Sequence, residues 1–205
     1  MKEYEIWQVA GHDLEYFDLT HEYLVDGIKV PSVTQMLKYK FGGKYGGVND
    51  TTLARAAEAG TEVHEAIEEY CATGFERDLP EVHNFRFLER QYRFMVTDIE
   101  VPLILFDGTE PIAAGRCDLV MEMDGMVGGA DIKRTAVLDR DYLAHQLNLY
   151  RIAYRQSYGT EWQFLRGVHL RGEETRKFVE IPINEDMTWA YINDWRVHHG
   201  EHGEA

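Results

Sequence analysis

The sequence has few cysteines and no long apolar run, and both shortages exclude classes of protein. Cys71 and Cys117 are its only cysteines, too few for a thiolate-held metal cluster or a cysteine-based structural zinc site. No stretch approaches the roughly 20 apolar residues of a membrane helix, and the first residues lack the charged and then apolar order of a signal peptide. These features predict a cytoplasmic protein, without membrane contact, whose cysteines are buried thiols.

Basic residues are scarce as well. The chain has 21 lysines and arginines against 36 acidic residues, a formal net charge of -15. This balance argues against a broad basic surface that would attract phosphate nonspecifically. Because the arginines cluster between Arg86 and Arg176 while acid dominates both ends, an anionic partner is expected to bind the middle of the chain.

The length of 205 residues and the hydrophobic fraction of 44% are sufficient for one domain around one core. We expect a single domain over residues 1–205. Residues 1–50 would form an appended hairpin and helix, residues 51–183 the core, and residues 184–205 a C-terminal helix and tail.

Hydrophobic periodicity predicts alternating strands and helices. Helices are expected over residues 33–42, where Ser32 and Gln35 fit a capping box, and over 51–73, 80–96 and 139–158, with a last helix in WAYINDW. Strands are expected in LEYFDL, HEYLVDGIKVPS, EVPLILFD, PIAAGRCDLVMEM, MVGGADIKRT, WQFLRGVHL and RKFVEIPI. The sum is an α/β or α+β domain in which a central mixed β-sheet is flanked by helices.

Two polar segments carry weaker signals. FGGKYGGVND, residues 41–50, resembles a phosphate-binding loop only in composition, because it lacks the Gly-Lys-Ser/Thr ending, and a flexible connector is expected. The end HHGEHGEA contains His198, His199 and His202. A flexible tail could bind metal through them, but plain disorder is favoured.

The stretch GRCDLVMEMDGMVGGADIKRT, residues 115–135, indicates a hairpin around an Asp124-Gly125 turn. A two-residue turn at this point places Asp118 opposite Asp131. Facing like charges destabilise a strand pair by roughly 0.2–1 kcal/mol, and a divalent cation between the carboxylates would compensate.

Strand alternation places Lys133 on the same face as Asp131 and turns Ile132 away. A β-bulge at Gly128-Gly129 would shift this register by one residue. The hairpin is therefore predicted to present two carboxylates and one ammonium together.

A purely structural interpretation is also open. Asp118 could pair with Arg116, and Asp131 with Lys133 or Arg134, on a solvated edge. The apolar residues around both aspartates favour burial instead, where an unpaired carboxylate is costly.

An ordered set of motifs resembles the PD-(D/E)XK nucleases, specifically their RecB-like and phage-type exonuclease branch. The resemblance covers about residues 51–156, and VPSVTQML is similar to the segment that precedes the core in phage-type members. Iron-sulfur members of the branch need four cysteines, which this chain lacks. The matching segments are GTEVHEAIE with His64, IEVPL with Glu100, GRCDLV with Asp118, ADIKRT with Asp131 and Lys133, and QLNLY with Gln146 and Tyr150.

The resemblance implies a restriction-endonuclease-like core and a deoxyribonuclease that uses Mg²⁺ or Mn²⁺. It would be a bacterial or phage-encoded exonuclease acting on DNA ends or single-stranded regions in recombination or repair, with a recombination protein as a further partner. A structure-specific endonuclease and a non-cleaving nucleic-acid-binding protein are the alternatives. The implied metal ligands are His64, Glu100, Asp118, Asp131 and Ile132, and the implied catalytic residues are Asp118, Asp131, Lys133, Gln146 and Tyr150.

In these roles Lys133 would favour hydroxide and stabilise negative charge in the transition state. Gln146 and Tyr150, four residues apart, would share a helical face. Gln146 would orient Lys133 or a phosphate, and Tyr150 would contact a base or the backbone. The nitrogen ligand of His64 would suit Mn²⁺ better than Mg²⁺.

Each of these residues also has an ordinary structural interpretation. His64 could be a packing or surface residue, Tyr150 a core residue and Glu100 a surface acid. Glu65, Glu68 and Glu69 are expected to form a solvated acidic face, with Glu68 as the candidate to support His64. Two arginine stripes could follow phosphates or form a salt-bridged face: Arg86, Arg90 and Arg93, and Arg151 and Arg155.

Overall fold

The structure, a computed structural model, describes residues 4–42 and 50–200. Within these residues the fold is α+β, with five helices and two sheets. The strands are β1 Tyr4–Val9, β2 His12–Phe17, β3 Glu22–Val25, β4 Ile28–Val30, β5 Met95–Asp107, β6 Glu110–Met123, β7 Met126–Lys133, β8 Phe164–Arg171 and β9 Thr175–Ile181. The helices are α1 Val33–Phe41, α2 Asp50–Thr73, α3 Pro80–Tyr92, α4 Arg140–Tyr158 and α5 Glu185–Gly200.

Two predicted segments fall wholly or partly outside this description. Residues 43–49 of the expected connector and His202 of the expected tail lie outside the described residues. His198 and His199 belong to α5, so the expectation of disorder is wrong for them. None of the described helices combines the length and apolar composition that a membrane crossing requires.

The larger sheet has the strand order β5-β6-β7-β8-β9 and is mixed. Its neighbours are antiparallel except β7 and β8, which run parallel and are joined by a crossover through α4. Apolar residues of α1, α4 and α5 form one core cluster with the sheet, whereas those of α2 and α3 form another. The prediction of a mixed sheet flanked by helices is confirmed.

The smaller sheet is an antiparallel meander in the order β1-β2-β3-β4. The sequence predicts its last three strands and the turn at Asp26-Gly27, but β1 was not predicted. The sheet packs on the larger one through a shared apolar cluster whose members include Leu14, Tyr16, Val25, Ile104, Phe106 and Ala114. This packing brings side chains of β2 into contact with β5 and β6, where His12 meets Phe106 and Tyr16 meets Arg116.

Helix boundaries agree with the sequence at α1 and disagree at α3. The capping box of Ser32 and Gln35 is present at the start of α1. The expected helix over residues 80–96 is too long, because Arg93 adopts a left-handed conformation, φ 55°, and ends α3. The apolar spacing of Phe94 continues the helical period, yet its ring packs on Phe178 of β9 at 5.0 Å.

The hairpin between β6 and β7 has the predicted register. Its pairs run from Met123 and Met126 at the turn to Leu119 and Ala130, without the bulge considered for Gly128-Gly129. The glycines serve close packing instead. A Cβ on Gly129 would lie 2.1 Å from the Trp162 ring, and one on Gly128 would lie 2.4 Å from the Phe164 backbone oxygen.

Gly129→Ala is therefore expected to lower the free energy of unfolding by about 1–3 kcal/mol, the usual cost of overpacking. Denaturant unfolding would measure it. Gly60→Ala is the matched control, because Gly60 lies in α2 with open space around its Cβ position and alanine favours a helix by roughly 0.8–1 kcal/mol over glycine. A Gly129→Ala protein as stable as the wild type would contradict the close contact with Trp162.

The two cysteines are free thiols. Cys117 is buried as expected, whereas Cys71 is only half-buried. Burial raises the pKa of Cys71 to about 12. At neutral pH this thiol is therefore protonated and a poor nucleophile or metal ligand.

Candidate metal centre

The candidate site lies where β6 and β7 separate. The ladder between these strands ends at Leu119 and Ala130. Beyond it, the backbone N–H of Ile132 donates a hydrogen bond to Asp118 Oδ2 at 2.7 Å, and Asp131 is paired with Gly167 of β8. The Asp118 carboxylate therefore occupies the fork between the two strands.

His64 reaches this fork from α2. Its Nε2 lies 2.9 Å from the carbonyl oxygen of Ile132, and because a carbonyl only accepts, Nε2 carries the proton and donates. Without a proton on Nδ1, that nitrogen presents a lone pair, and it lies 3.6 Å from Asp118 Oδ2. Two lone pairs that face one another favour a cation between them, and metal-binding histidines commonly donate their other N–H to a carbonyl.

Glu100 completes a group of three. The pairs on either side, Ile99 with Leu119 and Val101 with Cys117, place Glu100 opposite Asp118. Ligand atoms of His64, Glu100 and Asp118 all lie within 4.8 Å of one another. Nitrogen and carboxylate oxygen are donors that Mn²⁺ accepts, and Mg²⁺ accepts the oxygens.

The backbone of Glu100 is unusual for a residue inside a strand. Its φ is 47°, a left-handed conformation that costs a non-glycine residue free energy. Such conformations persist only where surrounding contacts fix them. Here Glu100 Oε2 forms an ion pair with Arg116 Nε at 3.1 Å, and a side-chain hydrogen bond joins the Glu68 and Glu100 carboxyl groups.

The sequence did not predict the positions of three neighbours of this group. Glu68 contacts Glu100 and is half-buried, so the expected solvated face is wrong for it. Arg116 pairs with Glu100, which corrects the suggested pairing with Asp118. The Arg116 guanidinium also lies 4.6 Å from the centre of the Tyr16 ring. Tyr16 carried no recognisable signal, because its strand approaches the site only through packing of the two sheets.

The concentration of carboxylates shifts their protonation. Burial, and then the Asp118 charge, raise the pKa of Glu100 to about 8, although Arg116 opposes them. Burial also raises the pKa of Glu68. Glu100 in the metal-free site consequently retains a proton at neutral pH, and a bound cation would displace it.

This shift predicts how the stability of the metal-free protein depends on pH. Glu100 has an ordinary pKa of 4.5 and a folded pKa of about 8, so between these values the folded state holds a proton that the unfolded state has lost. Stability is therefore expected to fall as pH rises through this window. Thermal melting of Glu100→Gln in EDTA should fall less steeply across it than melting of the wild type. Glu180→Gln, an exposed acid of β9, should behave like the wild type, and equal slopes for all three proteins would contradict the shift.

Asp131 and Lys133 form a buried ion pair beside this group. Lys133 Nζ lies 2.6 Å from Asp131 Oδ2, and the Asp131 side chain is only 1% exposed. Burial raises the pKa of Asp131 to about 6 although Lys133 opposes it. Burial would lower the pKa of Lys133, but the Asp131 and Asp118 charges raise it above its usual value. The ammonium form of Lys133 is thus retained.

Two of the five expected metal ligands, Asp131 and Ile132, lie outside the group that the other three form. Among the described residues, the ligand atoms within 4.8 Å of one another belong to His64, Glu100 and Asp118, and Asp131 is not part of that group. The Ile132 side chain is buried away from it, and its carbonyl accepts the proton of His64. In this arrangement Ile132 orients the His64 ring and Asp131 orients Lys133.

Gln146 and Tyr150 lie side by side on the buried face of α4. Their side chains are hydrogen-bonded, and burial raises the pKa of Tyr150 above its usual value. A Cβ on Gly115 would lie 3.1 Å from Cε1 of Tyr150, so glycine leaves room for the ring. Tyr150 packs in the core, as its structural interpretation expects. It also lines a cavity with Asp118.

Two cavities open on the candidate centre. One of about 590 Å³ contains His64 and Glu68 in its walls, and another of about 330 Å³ contains Asp118 and Tyr150. Both are lined by Tyr16, His21, Glu100 and Arg116. A third cavity, of about 410 Å³, has Lys133 in its wall. A ligand could therefore approach the group of three from two sides.

Three arginines of the two stripes that could follow phosphates form ion pairs instead. Arg151 and Arg155 both pair with Glu161 and Glu185, so they fix α4 to the start of α5. Arg86 pairs with an acid of the α2–α3 connection. For these three arginines the salt-bridged alternative is correct.

Comparison with known proteins adds little to this geometry. No protein-family model and no curated protein matches the sequence. Among solved structures, the crystal structure of SSO0001 is similar with a TM-score of 0.46 and 14% identity, over 82% of this chain and 76% of the other. A likeness of this degree carries no argument about function.

Proposed function

We propose that the protein is a metal-dependent deoxyribonuclease with a restriction-endonuclease-like core. The observation that carries the proposal is the convergence of His64, Glu100 and Asp118 within 4.8 Å, next to the Lys133–Asp131 pair. A nitrogen and carboxylate oxygens for a hard cation, with an ammonium beside them, suit hydrolysis of a phosphodiester.

The metal would be Mg²⁺ or Mn²⁺, held by His64, Glu100 and Asp118. When bound, it would lower the pKa of a water molecule and withdraw charge from the scissile phosphate. The hydrogen bond from His64 to Ile132 fixes the ring with Nδ1 toward Asp118. The bond from Ile132 N–H to Asp118 holds the carboxylate in place. One residue of β7 thus orients both ligands.

Of the remaining groups, Lys133 would act on the phosphate and the others would position their neighbours. Lys133 would stabilise the negative charge that develops on the phosphate oxygens, and Asp131 would hold its ammonium in place. Gln146 and Tyr150 would support the wall of the site behind them. Arg116, which lines both cavities at the centre, would position Glu100.

The substrate we propose is DNA, attacked at ends or in single-stranded regions during recombination or repair. On this proposal the protein is a cytoplasmic, bacterial or phage-encoded exonuclease acting with a recombination partner. A structure-specific endonuclease and a non-cleaving nucleic-acid-binding protein are the other candidates. No observation on the described residues favours either of them over the exonuclease.

The test compares labelled linear DNA with covalently closed circular DNA, each incubated with Mn²⁺, Mg²⁺ or EDTA. Cleavage of linear DNA alone would support an exonuclease, and cleavage of both would support the endonuclease. Cleavage of neither, by a protein that binds DNA, would support the non-cleaving alternative and overturn the proposal. A protein carrying Asp118→Asn, purified identically, controls for a contaminating nuclease.

A further inference from the structure

A second surface of the protein, away from the candidate metal centre, combines exposed rings with cations. It is formed by α3 and the β8–β9 hairpin, and we name it the α3–β9 surface. Phe87 and Tyr92 are 44% and 40% exposed. The residues that define it are Phe87, Tyr92, Arg166, Arg176 and Phe178.

The rings and cations of the α3–β9 surface contact one another. The Arg176 guanidinium lies 4.0 Å from the centre of the Phe87 ring, and Arg166 lies 5.6 Å from the Phe178 ring. The Tyr92 ring is 4.7 Å from Phe178. These contacts hold flat groups in fixed positions, so little conformational entropy would be lost when a planar ligand stacks on them.

Cations without carboxylate partners lie on the elements that carry these rings. Within the part of the chain that the structure describes, no ion pair is formed by Arg90, Arg93, Arg171, Arg176 or Lys177. Residues 80–93 and 164–181 together hold seven lysines and arginines against five acids, in a protein whose net charge is -15. The two segments that form the α3–β9 surface therefore carry a charge balance opposite to that of the whole chain.

This combination indicates the chemistry of a ligand. Exposed rings and guanidinium planes bind other planar groups, and unpaired cations nearby bind anions. A single-stranded nucleic acid carries both in alternation, because its bases have free faces and its phosphates are charged. Base pairs in a duplex hide those faces, and an acidic polypeptide lacks them.

We propose that the α3–β9 surface binds single-stranded nucleic acid, with bases stacking on Phe87 and Tyr92 and phosphates held by the neighbouring cations. This contact goes beyond the proposed cleavage and needs no metal. Phe178 is paired with Val168, and Val168 with Ile132. At the usual strand spacing Phe178 lies about 10 Å from Ile132, the residue that orients the candidate metal ligands. The surface is therefore close enough to hold a strand whose end lies in the metal centre.

The test measures the binding of a fluorescent oligothymidylate of about 20 nucleotides, longer than a typical single-strand site. Fluorescence anisotropy is recorded in EDTA, so that cleavage plays no part. The variants are Phe87→Ala, Arg176→Ala and the pair combined. Tyr4→Ala is the matched control for the ring, because Tyr4 is 43% exposed on the smaller sheet. Lys29→Ala, also on that sheet, is the control for the cation.

The combined variant is expected to bind at least about fivefold more weakly, the lower bound for loss of one stacked base. The dependence of affinity on salt should also decrease, by about 0.7 in logarithmic slope for each lost phosphate contact. Both control variants should bind within twofold of the wild type. Thermal melting shows whether each variant is folded. Arg176→Gln replaces Arg176→Ala if that variant is not folded.

Three outcomes would overturn the proposal. In the first, the wild type fails to bind, or the α3–β9 variants bind as the wild type does. In the second, the control variants lose as much affinity as the α3–β9 variants. In the third, duplex DNA or polyglutamate competes as well as single-stranded DNA does. Cleavage with Mn²⁺ is assayed separately. If the protein cleaves DNA but its binding does not depend on the α3–β9 surface, only the proposed binding surface is wrong. If the wild type binds through the α3–β9 surface but does not cleave DNA, only the proposed function is wrong.

Discussion

Lys133→Ala is expected to abolish DNA cleavage while leaving Mn²⁺ binding within a few fold of the wild type. Lys133 is not one of the three grouped ligands, yet its ammonium lies beside them and remains charged through its contact with Asp131. Removal of one preorganised group that stabilises transition-state charge costs about 10²–10³ in rate. Cleavage rates with saturating Mn²⁺, together with calorimetric titration of the metal, would measure the two effects separately.

Lys133→Ala also affects stability, and the experiment must separate this effect from the effect on cleavage. It leaves the Asp131 carboxylate, which is 1% exposed, without its partner. Removing one member of a buried pair costs about 3–5 kcal/mol, although uptake of a proton by Asp131 would reduce this cost. Thermal melting gives the size of the loss and the temperature at which the variant remains folded.

Lys133→Arg is the matched control, because it keeps the charge beside Asp131 and changes only its shape. It should retain more stability than Lys133→Ala and some of the cleavage. A folded Lys133→Ala protein that cleaves DNA at more than a tenth of the wild-type rate would remove Lys133 from the mechanism.

The parts of the site that could be predicted from the sequence are those fixed by local geometry. The Asp124-Gly125 turn sets the register of β6 and β7, so the placement of Asp118 near residues 131 and 132 follows from counting. Alternation along β7 places Lys133 beside Asp131 and Ile132 on the other face. The capping box of Ser32 likewise involves residues only three positions apart.

The remaining parts depend on how distant elements pack. Glu68 and Glu100 share a hydrogen bond because α2 lies against β5, a relation that no periodicity encodes. The left-handed conformation of Glu100 also lacks a glycine or asparagine that would have signalled it. Tyr16 reaches Arg116 only because the smaller sheet packs on the larger one. Long-range contacts of this kind are outside the reach of pattern analysis.

The electrostatics of the group give its arrangement a functional interpretation. Glu68, Glu100 and Asp118 lie close enough for Asp118 to raise the pKa of both glutamates. Such crowding opposes folding of the metal-free protein above the folded pKa of Glu100. A divalent cation would reverse that effect by binding the folded state alone. Stability gained from metal should therefore depend on Asp118, the central carboxylate of the group.

Asp118→Asn is expected to weaken Mn²⁺ affinity at least about tenfold, since even partners one step further from a metal affect affinity by 10–100-fold. The wild type should gain about 2.7 kcal/mol of stability at a metal concentration 100 times its Kd, and most of this gain should disappear in the variant. Cleavage should be lost as well. Thermal melting with and without Mn²⁺ measures the first effect.

In EDTA the same variant should be at least as stable as the wild type. The asparagine oxygen can still accept the hydrogen bond from Ile132 N–H, while the repulsion that raises the pKa of Glu100 is removed. Glu122→Gln, which changes an exposed acid of the same strand, should alter neither metal affinity nor cleavage. A clearly lower melting temperature of metal-free Asp118→Asn would show that the wild-type carboxylate stabilises the fold. An unchanged response to Mn²⁺ would show that the metal binds elsewhere, because a site built on His64, Glu100 and Asp118 cannot lose its central ligand without losing affinity.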